Sequence, residues 1–170
     1  MKLVVTDACI FIDVIELQLT SEFFGLELEI HTTVDVINEL FPHQQQLLRV
    51  YEHGGKLTIH VLTPADQEAI SNENFPRALS PEDCSVIYIA RKLNATVLSS
   101  DKPVRTHARN LSIEYHGMFW IFDKLVAAKI LTDATATVKL NVLMESNIIY
   151  KGNQEMVKEA EKRFRVWKAL

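Results

Sequence analysis

The sequence predicts an α/β fold, a three-layer sandwich with a mostly parallel central sheet of four to five strands and additional C-terminal helices. Short apolar strand signals alternate with helical patterns along most of the chain, an order that is typical of a parallel sheet covered by helices. The chain has 170 residues, of which 48% are hydrophobic and 24% charged, which suits one domain with a core of its own. Neither an internal repeat nor a low-complexity linker interrupts this order.

The first half of the chain contains three strand signals and four helical patterns. One helix ends before Pro42, because proline disfavours the helical conformation in the residue that precedes it. The next helix stops at Gly54 and Gly55, a common C-terminal signal. In order, we expect a strand at residues 3–6, a helix at 10–17, a short strand at 29–31, helices at 34–41 and 43–53, a strand at 57–62 and a helix at 64–72.

The clearest helix start in the sequence is the segment from Ser80 to Asp83. Ser80 is suited to cap a helix, Pro81 to occupy its first position, and Asp83 to take the third position of a capping box. An apolar helical pattern then continues to Leu93.

The last part of the chain turns from strands to helices. We expect strands at residues 96–99 and 112–115, followed by helices at 118–130, 133–146 and 154–169. These patterns predict a domain over residues 1–130 and a helical C-terminal extension over residues 131–170 that packs on it.

Charge and composition exclude several classes of protein. The formal net charge is −4, so the chain lacks the basic surplus that is typical of nucleic-acid-binding domains, although residues 151–170 alone carry six basic and three acidic side chains. That basic segment is either a solvated helix face or a substrate-binding face. No apolar run approaches the roughly 20 residues of a membrane span, and no signal peptide is recognisable, so we expect a cytoplasmic protein.

Other catalytic chemistries find no support in the sequence. Cys9 and Cys84 are the only cysteines and lie among apolar residues, so they are expected to be buried free thiols rather than zinc ligands. The six histidines make no H-x-x-x-H pair, and the glycine-rich phosphate-binding motifs and the G-x-S-x-G elbow are missing.

Four acidic residues remain as the candidate site. Asp7 and Asp101 each follow an apolar strand, and ligands of parallel sheets bind beyond the carboxyl ends of the strands. Asp83 lies on the apolar side of its helix and is expected to point inward, whereas Glu39 borders the apolar face of a short helix. Four carboxylates in one place would suit a hard divalent cation. Singly, each also has a structural explanation, as a helix cap, a turn residue or a solvated side chain.

The ordered set of these acids and their flanking residues resembles the PIN domain, a metal-dependent nuclease fold. Gly117 followed by an apolar helix resembles a branch of the family in which a helical tail follows the nuclease core. The matching stretches are VVTDACIFI at residues 4–12, VINEL at 36–40, SPEDCSVIYIA at 80–90 and VLSSDKPVR at 97–105.

The resemblance implies an endoribonuclease that hydrolyses RNA phosphodiester bonds with Mg²⁺ or Mn²⁺. The metal ligands and catalytic residues would be Asp7, Glu39, Asp83 and Asp101. Ala8 and Cys9 stand where many family members carry a small or hydroxyl residue and then Asn or Ser. The residues expected to supply polar support instead are Thr6, Ser99 and Ser100, and those expected to meet the RNA backbone are Lys102, Arg105 and Arg109.

Three roles stay open within this resemblance. The chain is a ribonuclease toxin of a toxin–antitoxin pair, a housekeeping RNA-processing nuclease, or a catalytically silent PIN-like module that binds RNA or protein. The expected partners are an RNA substrate, an antitoxin protein in the first case, and a second copy of the chain in a homodimer.

Overall fold

A computed structural model describes residues 1–168, which contain five strands and ten helices. Two compact units divide the chain: the first comprises Met1–Ile12 and Glu27–Gly117, the second Asp13–Leu26 and the residues from Met118 onward. In chain order the elements are β1 (Lys2–Thr6), α1 (Ala8–Glu16), α2 (Thr20–Phe24), β2 (Leu28–Thr33), α3 (Val34–Glu39), α4 (Pro42–His53), β3 (Leu57–His60), α5 (Pro64–Asn72), α6 (Pro81–Lys92), β4 (Thr96–Leu98), α7 (Lys102–Asn110), β5 (Tyr115–His116), α8 (Met118–Ala127), α9 (Asp133–Ser146) and α10 (Gln154–Lys168).

The first unit contains a five-stranded sheet in the order β3-β2-β1-β4-β5, and every neighbouring pair of strands is parallel. The central strand β1 pairs through Val5 with His31 of β2 and with Val97 of β4. Val5 and Val97 are fully buried, because both faces of a central parallel strand are covered. The predicted α/β fold with a parallel sheet is therefore confirmed.

The strand order places helices on both faces of this sheet. From the central strand β1 the chain adds β2 and then β3 on one side of the sheet, and it afterwards crosses back to add β4 and then β5 on the other side. Crossover connections between parallel strands are right-handed. The helices of the two directions therefore lie on opposite faces, with α4 against β3 on one and α6 on the other. Helix α6 contacts β1, β2 and β4 and so crosses the centre of the sheet.

Hydrogen bonds at both ends of α6 hold it in this position. At its start, the predicted capping box is present: the N–H of Asp83 donates to Ser80 Oγ at 3.1 Å, and the N–H of Ser80 donates to Asp83 Oδ2 at 2.9 Å. Towards its end, Tyr88 Oη and Lys92 Nζ each donate to Asp66 Oδ1 of α5 at 2.8 Å. The capping box therefore fixes the first turn of α6, which carries Asp83, and the bonds to Asp66 tie the second half of the helix to α5.

Two helices and one strand differ from the sequence prediction. Helix α2 was not predicted, and neither was α7, because Pro103 reads as a turn residue although proline is well tolerated in the first turn of a helix. The last strand, predicted at residues 112–115, is Tyr115–His116. Residues 111 and 112 instead form the turn that follows α7, in which Ser112 takes a positive φ of 56°.

The second unit is helical. Helix α9 contacts both α8 and α10, and the apolar faces of α8 and α9 are buried, as Phe122 and Leu140 illustrate. Phe164 and Trp167 of α10 form an edge-to-face ring pair with centroids 6.2 Å apart. Residue 169, the predicted last residue of this helix, lies outside the described residues. Across residues 1–168, no helix has both the length and the apolar character that crossing a membrane requires.

Candidate functional site

The carboxyl ends of β1 and β4 place Asp7 and Asp101 on adjacent strand ends. The two strands pair in parallel up to Thr6 and Leu98, and the N–H of Asp7 extends the ladder by donating to the Leu98 carbonyl at 3.2 Å. Asp101 follows three residues after Leu98 and precedes α7 as its N-terminal cap residue. Both acids therefore lie at the sheet edge where parallel α/β proteins bind ligands.

Asp7 is the buried member of the four acids, with 4% of its surface exposed. Its Oδ1 accepts hydrogen bonds from the N–H of Ile10 at 3.2 Å and from Cys9 Sγ at 2.9 Å, so the carboxylate also caps α1. The pKa of Asp7 is raised from its ordinary value of 3.8 to about 6, mainly by burial and to a smaller extent by the charge of Asp83, while hydrogen bonds from Cys9, Ser99 and Ile10 partly offset these two effects. Asp7 is thus held in a site that disfavours its lone negative charge.

Cys9 links the two strand ends. Besides donating to Asp7, its sulfur accepts a hydrogen bond from the N–H of Ser100 at 3.3 Å and lies 3.9 Å from Ser99 Oγ. Ser99 Oγ in turn accepts from the N–H of Asp101 at 3.0 Å. The polar contact expected from Thr6, Ser99 or Ser100 therefore comes to Asp7 from Cys9 and Ser99. Thr6 Oγ1 is buried and makes no hydrogen bond within residues 1–168.

The cysteines differ from each other in their surroundings. Cys84 is a buried free thiol, as expected, whereas Cys9 is a free thiol that is only half-buried. Sequence reasoning treated Cys9 as a departure from the usual residue at this position. The sequence signal for the contact between Cys9 and Asp7 was their spacing: Cys9 lies two residues after the helix-capping Asp7, and its thiol reaches back to that carboxylate.

Replacing Cys9 tests this support directly. Cys9→Ala is expected to raise the pKa of Asp7 above its value of about 6, because the variant removes a donor that favours the ionised carboxylate. Cys9→Ser keeps a donor and is the matched control, with an Asp7 pKa close to that of the native protein. The measurement is an NMR titration of the Asp7 side-chain carbonyl carbon. An unchanged pKa in Cys9→Ala would show that the thiol does not stabilise the carboxylate.

Asp83 lies in the first turn of α6 and is half-buried. The sequence predicted that it points inward, and in the structure Asp7 is the more buried of the two acids. The reason is the capping box, in which the Asp83 carboxylate turns back to the N–H of Ser80 at the open end of the helix instead of lying along its apolar face.

Glu39 is the last residue of α3, and its side chain is exposed. Helix α3 contacts α6, and the two are tied by a hydrogen bond of 2.8 Å between Thr33 Oγ1 and Ser85 Oγ, both buried. Burial raises the pKa of Glu39, and the negative charges of Glu82, Asp83 and Asp7 add to this rise. Although exposed, Glu39 therefore lies within the electrostatic field of the other acids.

The four acids act on one another, and no cationic side chain among the described residues pairs with them. Burial raises the pKa of Asp101, and the charge of Asp83 raises it further, as it does for Asp7 and Glu39. Within residues 1–168, no Lys or Arg nitrogen lies within 4.0 Å of the carboxylates of these four acids. A shared, uncompensated negative field favours cation binding, because like charges raise each other's pKa and a cation relieves the repulsion.

The donor chemistry of these four residues fits Mg²⁺ or Mn²⁺, which prefer oxygen ligands. In their present side-chain conformations they share a field without forming a closed coordination shell: among residues 1–168, no three His, Cys, Asp or Glu side chains are arranged to hold an ion. The residues therefore match a hard divalent cation in ligand type and charge.

The three basic residues predicted to meet the substrate lie on α7. Lys102, Arg105 and Arg109 are spaced by three and four residues, so they share one helix face. Lys102 and Arg109 are exposed, while the guanidinium of the half-buried Arg105 lies over the Tyr115 ring, 5.2 Å from its centroid. This face begins directly after Asp101. The sequence signal for helix α7 was the apolar pair at i and i+4, Val104 and Ala108, and both residues are buried in the structure.

Carboxylates gathered at the strand ends of a parallel sheet are typical of α/β enzymes that act with a divalent cation. The model of the family DUF3368, described as a PIN domain, matches residues 3–162, and the chain belongs to this family. PIN domains are generally nucleases and typically use divalent metal ions. The family membership predicted from the four motifs is therefore confirmed.

Two solved structures illustrate the likeness. A PilT N-terminus domain protein from the hyperthermophilic archaeon Sulfolobus solfataricus P2 is 14% identical, with a TM-score of 0.49 over 75% of this chain and 93% of that one. A domain of a functionally unknown protein from Methanocaldococcus jannaschii DSM 2661 is 18% identical, with a TM-score of 0.47 over 69% of this chain and 91% of that one. No curated protein matches the sequence significantly.

Proposed function

We propose that this PIN-domain protein is a divalent-metal-dependent endoribonuclease that hydrolyses RNA phosphodiester bonds. The observation that carries the proposal is the grouping of Asp7, Glu39, Asp83 and Asp101: burial and then the charge of Asp83 raise the pKa values of the other three, and no Lys or Arg among residues 1–168 pairs with these acids. In a family of nucleases, such a grouping is best explained as a binding site for Mg²⁺ or Mn²⁺.

The four carboxylates would hold the cation. The chemistry supplied by a bound cation of this kind is activation of water and neutralisation of the charge that develops on the phosphate. The chain itself orients the ligands: Cys9 and Ile10 hold Asp7, and Ser80 holds Asp83. The proton that Asp7 carries below pH 6 must leave before the carboxylate serves as a ligand.

The basic face of α7 would position the RNA backbone. Lys102, Arg105 and Arg109 supply cationic groups in the helix that follows Asp101, whereas β1 and β4 are followed by the acids Asp7 and Asp101. This arrangement separates phosphate binding from the cation site, so the RNA strand meets positive charge beside the acidic cluster. Contacts of this kind are independent of sequence and weaken as salt concentration rises.

The proposal is tested by incubating the full chain with end-labelled single-stranded RNA. We expect internal cleavage with Mn²⁺ or Mg²⁺, products that carry a 5′-phosphate and a 3′-hydroxyl, and no cleavage in excess EDTA. Restoring Mn²⁺ to the EDTA-treated protein serves as the control for irreversible damage. Cleavage that continues in EDTA, or RNA that stays intact with either metal, would contradict the proposed activity.

A catalytically silent module that binds RNA or protein is the second candidate. The observation that favours it is the open arrangement of the acids, of which no three among residues 1–168 are set to hold an ion. Titration calorimetry with Mn²⁺ separates the two candidates: the nuclease binds the cation, and the silent module shows no heat of binding.

The biological role follows from a separate experiment. We propose a toxin of a toxin–antitoxin pair that acts in the cytoplasm as a homodimer, and growth arrest on expression of the chain without a partner would support it. Normal growth of cells that produce an active nuclease would favour housekeeping RNA processing instead.

A further inference from the structure

An exposed aromatic side chain follows closely after one of the four acids in the chain. Phe41 is 68% exposed, although burying a side chain of this size contributes about 1.5–3 kcal/mol to folding. It follows two residues after Glu39, so its Cα lies within about 7.6 Å of the Cα of that acid. The ring is therefore within reach of a nucleotide bound at the strand ends.

The backbone that carries Phe41 is held rigidly. Its N–H donates to Oε1 of the buried Gln44 at 2.9 Å, and Gln45 Nε2 donates to the carbonyl of the preceding Leu40 at 2.8 Å. Pro42 then fixes the start of α4. The exposed ring thus extends from a fixed junction between α3 and α4, and ordering it on binding costs little conformational entropy.

A second ring already stacks on the first. The imidazole of His43 lies nearly parallel to the Phe41 ring, with an interplanar angle of 12° and a centroid distance of 6.1 Å. Such an offset arrangement is favourable for aromatic pairs and leaves the remaining ring surface open to a further flat group. Among biological ligands, the unpaired bases of a single-stranded nucleic acid are bound in this way.

The surroundings of the ring favour a base over a protein surface. The exposed neighbours Asn38, Glu39 and Gln46 are polar, whereas protein-docking sites usually present contiguous apolar patches. Within α4, which begins directly after Phe41, the large apolar side chain that is exposed is Val50. It lies nine residues further, on the opposite side of the helix at 100° per residue. Phe41 and Val50 therefore do not form one apolar stripe along this segment.

We propose that Phe41, supported by His43, is a stacking platform for one unpaired base of a single-stranded RNA whose neighbouring phosphate lies at the acidic cluster. This inference rests on the proposed ribonuclease function and adds to it the side chain that would hold one base of the substrate. Together with the basic face of α7, which begins after Asp101, the platform defines two contact points for the RNA: one for a base and one for the phosphate backbone.

The test measures binding and cleavage by the full chain. A short single-stranded RNA with one 2-aminopurine is titrated in Ca²⁺, and cleavage of the same RNA is followed in Mn²⁺. Phe41→Leu is expected to weaken binding between about 5-fold and 100-fold, to raise KM accordingly and to lose the quenching that stacking causes. Phe41→Trp keeps a flat ring and should retain both signals. Val50→Ala removes an exposed apolar side chain elsewhere on α4 and should behave as the native chain.

The outcomes separate this inference from the proposed function. Native KM and quenching in Phe41→Leu, with cleavage intact, would overturn the platform and leave the nuclease standing. Native RNA affinity together with an altered oligomeric state would overturn it in favour of a protein-docking role for Phe41. A native chain that neither binds nor cleaves the RNA would overturn both. Equal affinity for the same sequence in a duplex would also contradict a platform for unpaired bases.

Discussion

Replacing Asp83 with asparagine is expected to lower Mn²⁺-dependent RNA cleavage by at least about a hundredfold. Residues that merely support metal ligands cost 10- to 100-fold in affinity or activity when they are changed, and loss of a ligand should cost more. Asp83 is the acid whose charge raises the pKa of each of the other three, so it is central to the electrostatic field. Removing its charge weakens the attraction for any cation held by the remaining acids.

The same substitution should leave the fold intact. Asparagine retains an oxygen that accepts the N–H of Ser80, so the capping box of α6 persists. Loss of a favourable charge at the helix start costs about 0.3–1 kcal/mol, and relief of repulsion among the acids offsets it. We therefore expect a melting temperature similar to or higher than that of the native chain, measured in EDTA by circular dichroism.

Asp35→Asn is the matched control for this experiment. It removes a first-turn carboxylate from α3, the helix that also carries Glu39, and its charge is not among the causes of the raised pKa values in the cluster. It should cleave RNA at the native rate. If Asp83→Asn cleaves as fast as Asp35→Asn, Asp83 is not a metal ligand, and the proposed site is wrong.

Replacing Asp7 with asparagine is expected to stabilise the metal-free protein at neutral pH by up to about 3 kcal/mol. The pKa of Asp7 is about 6 in the folded state and 3.8 in its ordinary surroundings, and each unit corresponds to about 1.4 kcal/mol. Because the unfolded chain releases its proton first, the free energy of unfolding falls as pH rises from about 4 to 6 and then stays constant. Asparagine removes this cost above pH 6 and changes little below pH 4.

The cation should reverse this order of stability. Mn²⁺ that binds only the folded native chain stabilises it by about 4.1 kcal/mol at a thousand times its Kd, which exceeds the cost of the buried charge, whereas Asp7→Asn should gain much less. The measurement is urea unfolding at pH 7 and at pH 4, in EDTA and in Mn²⁺. Glu39→Gln serves as the comparison, since Glu39 is exposed and its neutralisation should shift the pH dependence far less. If the Asp7→Asn variant were less stable than the native chain in EDTA at pH 7, the buried Asp7 charge would not carry the cost assigned to it.

Local sequence signals predicted most of the fold. The apolar runs before Asp7 and Asp101 are β1 and β4, and the Ser80 capping box begins α6 as expected. These elements depend on hydrophobic periodicity and on hydrogen bonds between residues close in the chain, which a sequence displays directly. Helix α7 was missed because Pro103 is equally compatible with a turn and with the first turn of a helix.

The contacts around the acids needed the tertiary structure. The N–H of Ser100 reaches the Cys9 sulfur across 91 residues of sequence, and Ser85 meets Thr33 across 52. Local periodicity carries no information about such pairs. The relative burial of the acids also needed the tertiary structure: helix periodicity indicates the side of α6 on which Asp83 lies, whereas the capping box decides where its carboxylate points.

The sequence alone determined the class of fold, the family and the order of the four acids, because alternating periodicities and short motifs are properties of the chain itself. Only the tertiary structure decided how the acids differ. It placed Asp7 in a buried site with the Cys9 thiol against it, Asp83 half-buried at a helix start and Glu39 exposed beside Phe41. Burial and charge coupling depend on distances between segments remote in sequence, and these distances exist only after the parallel sheet has formed.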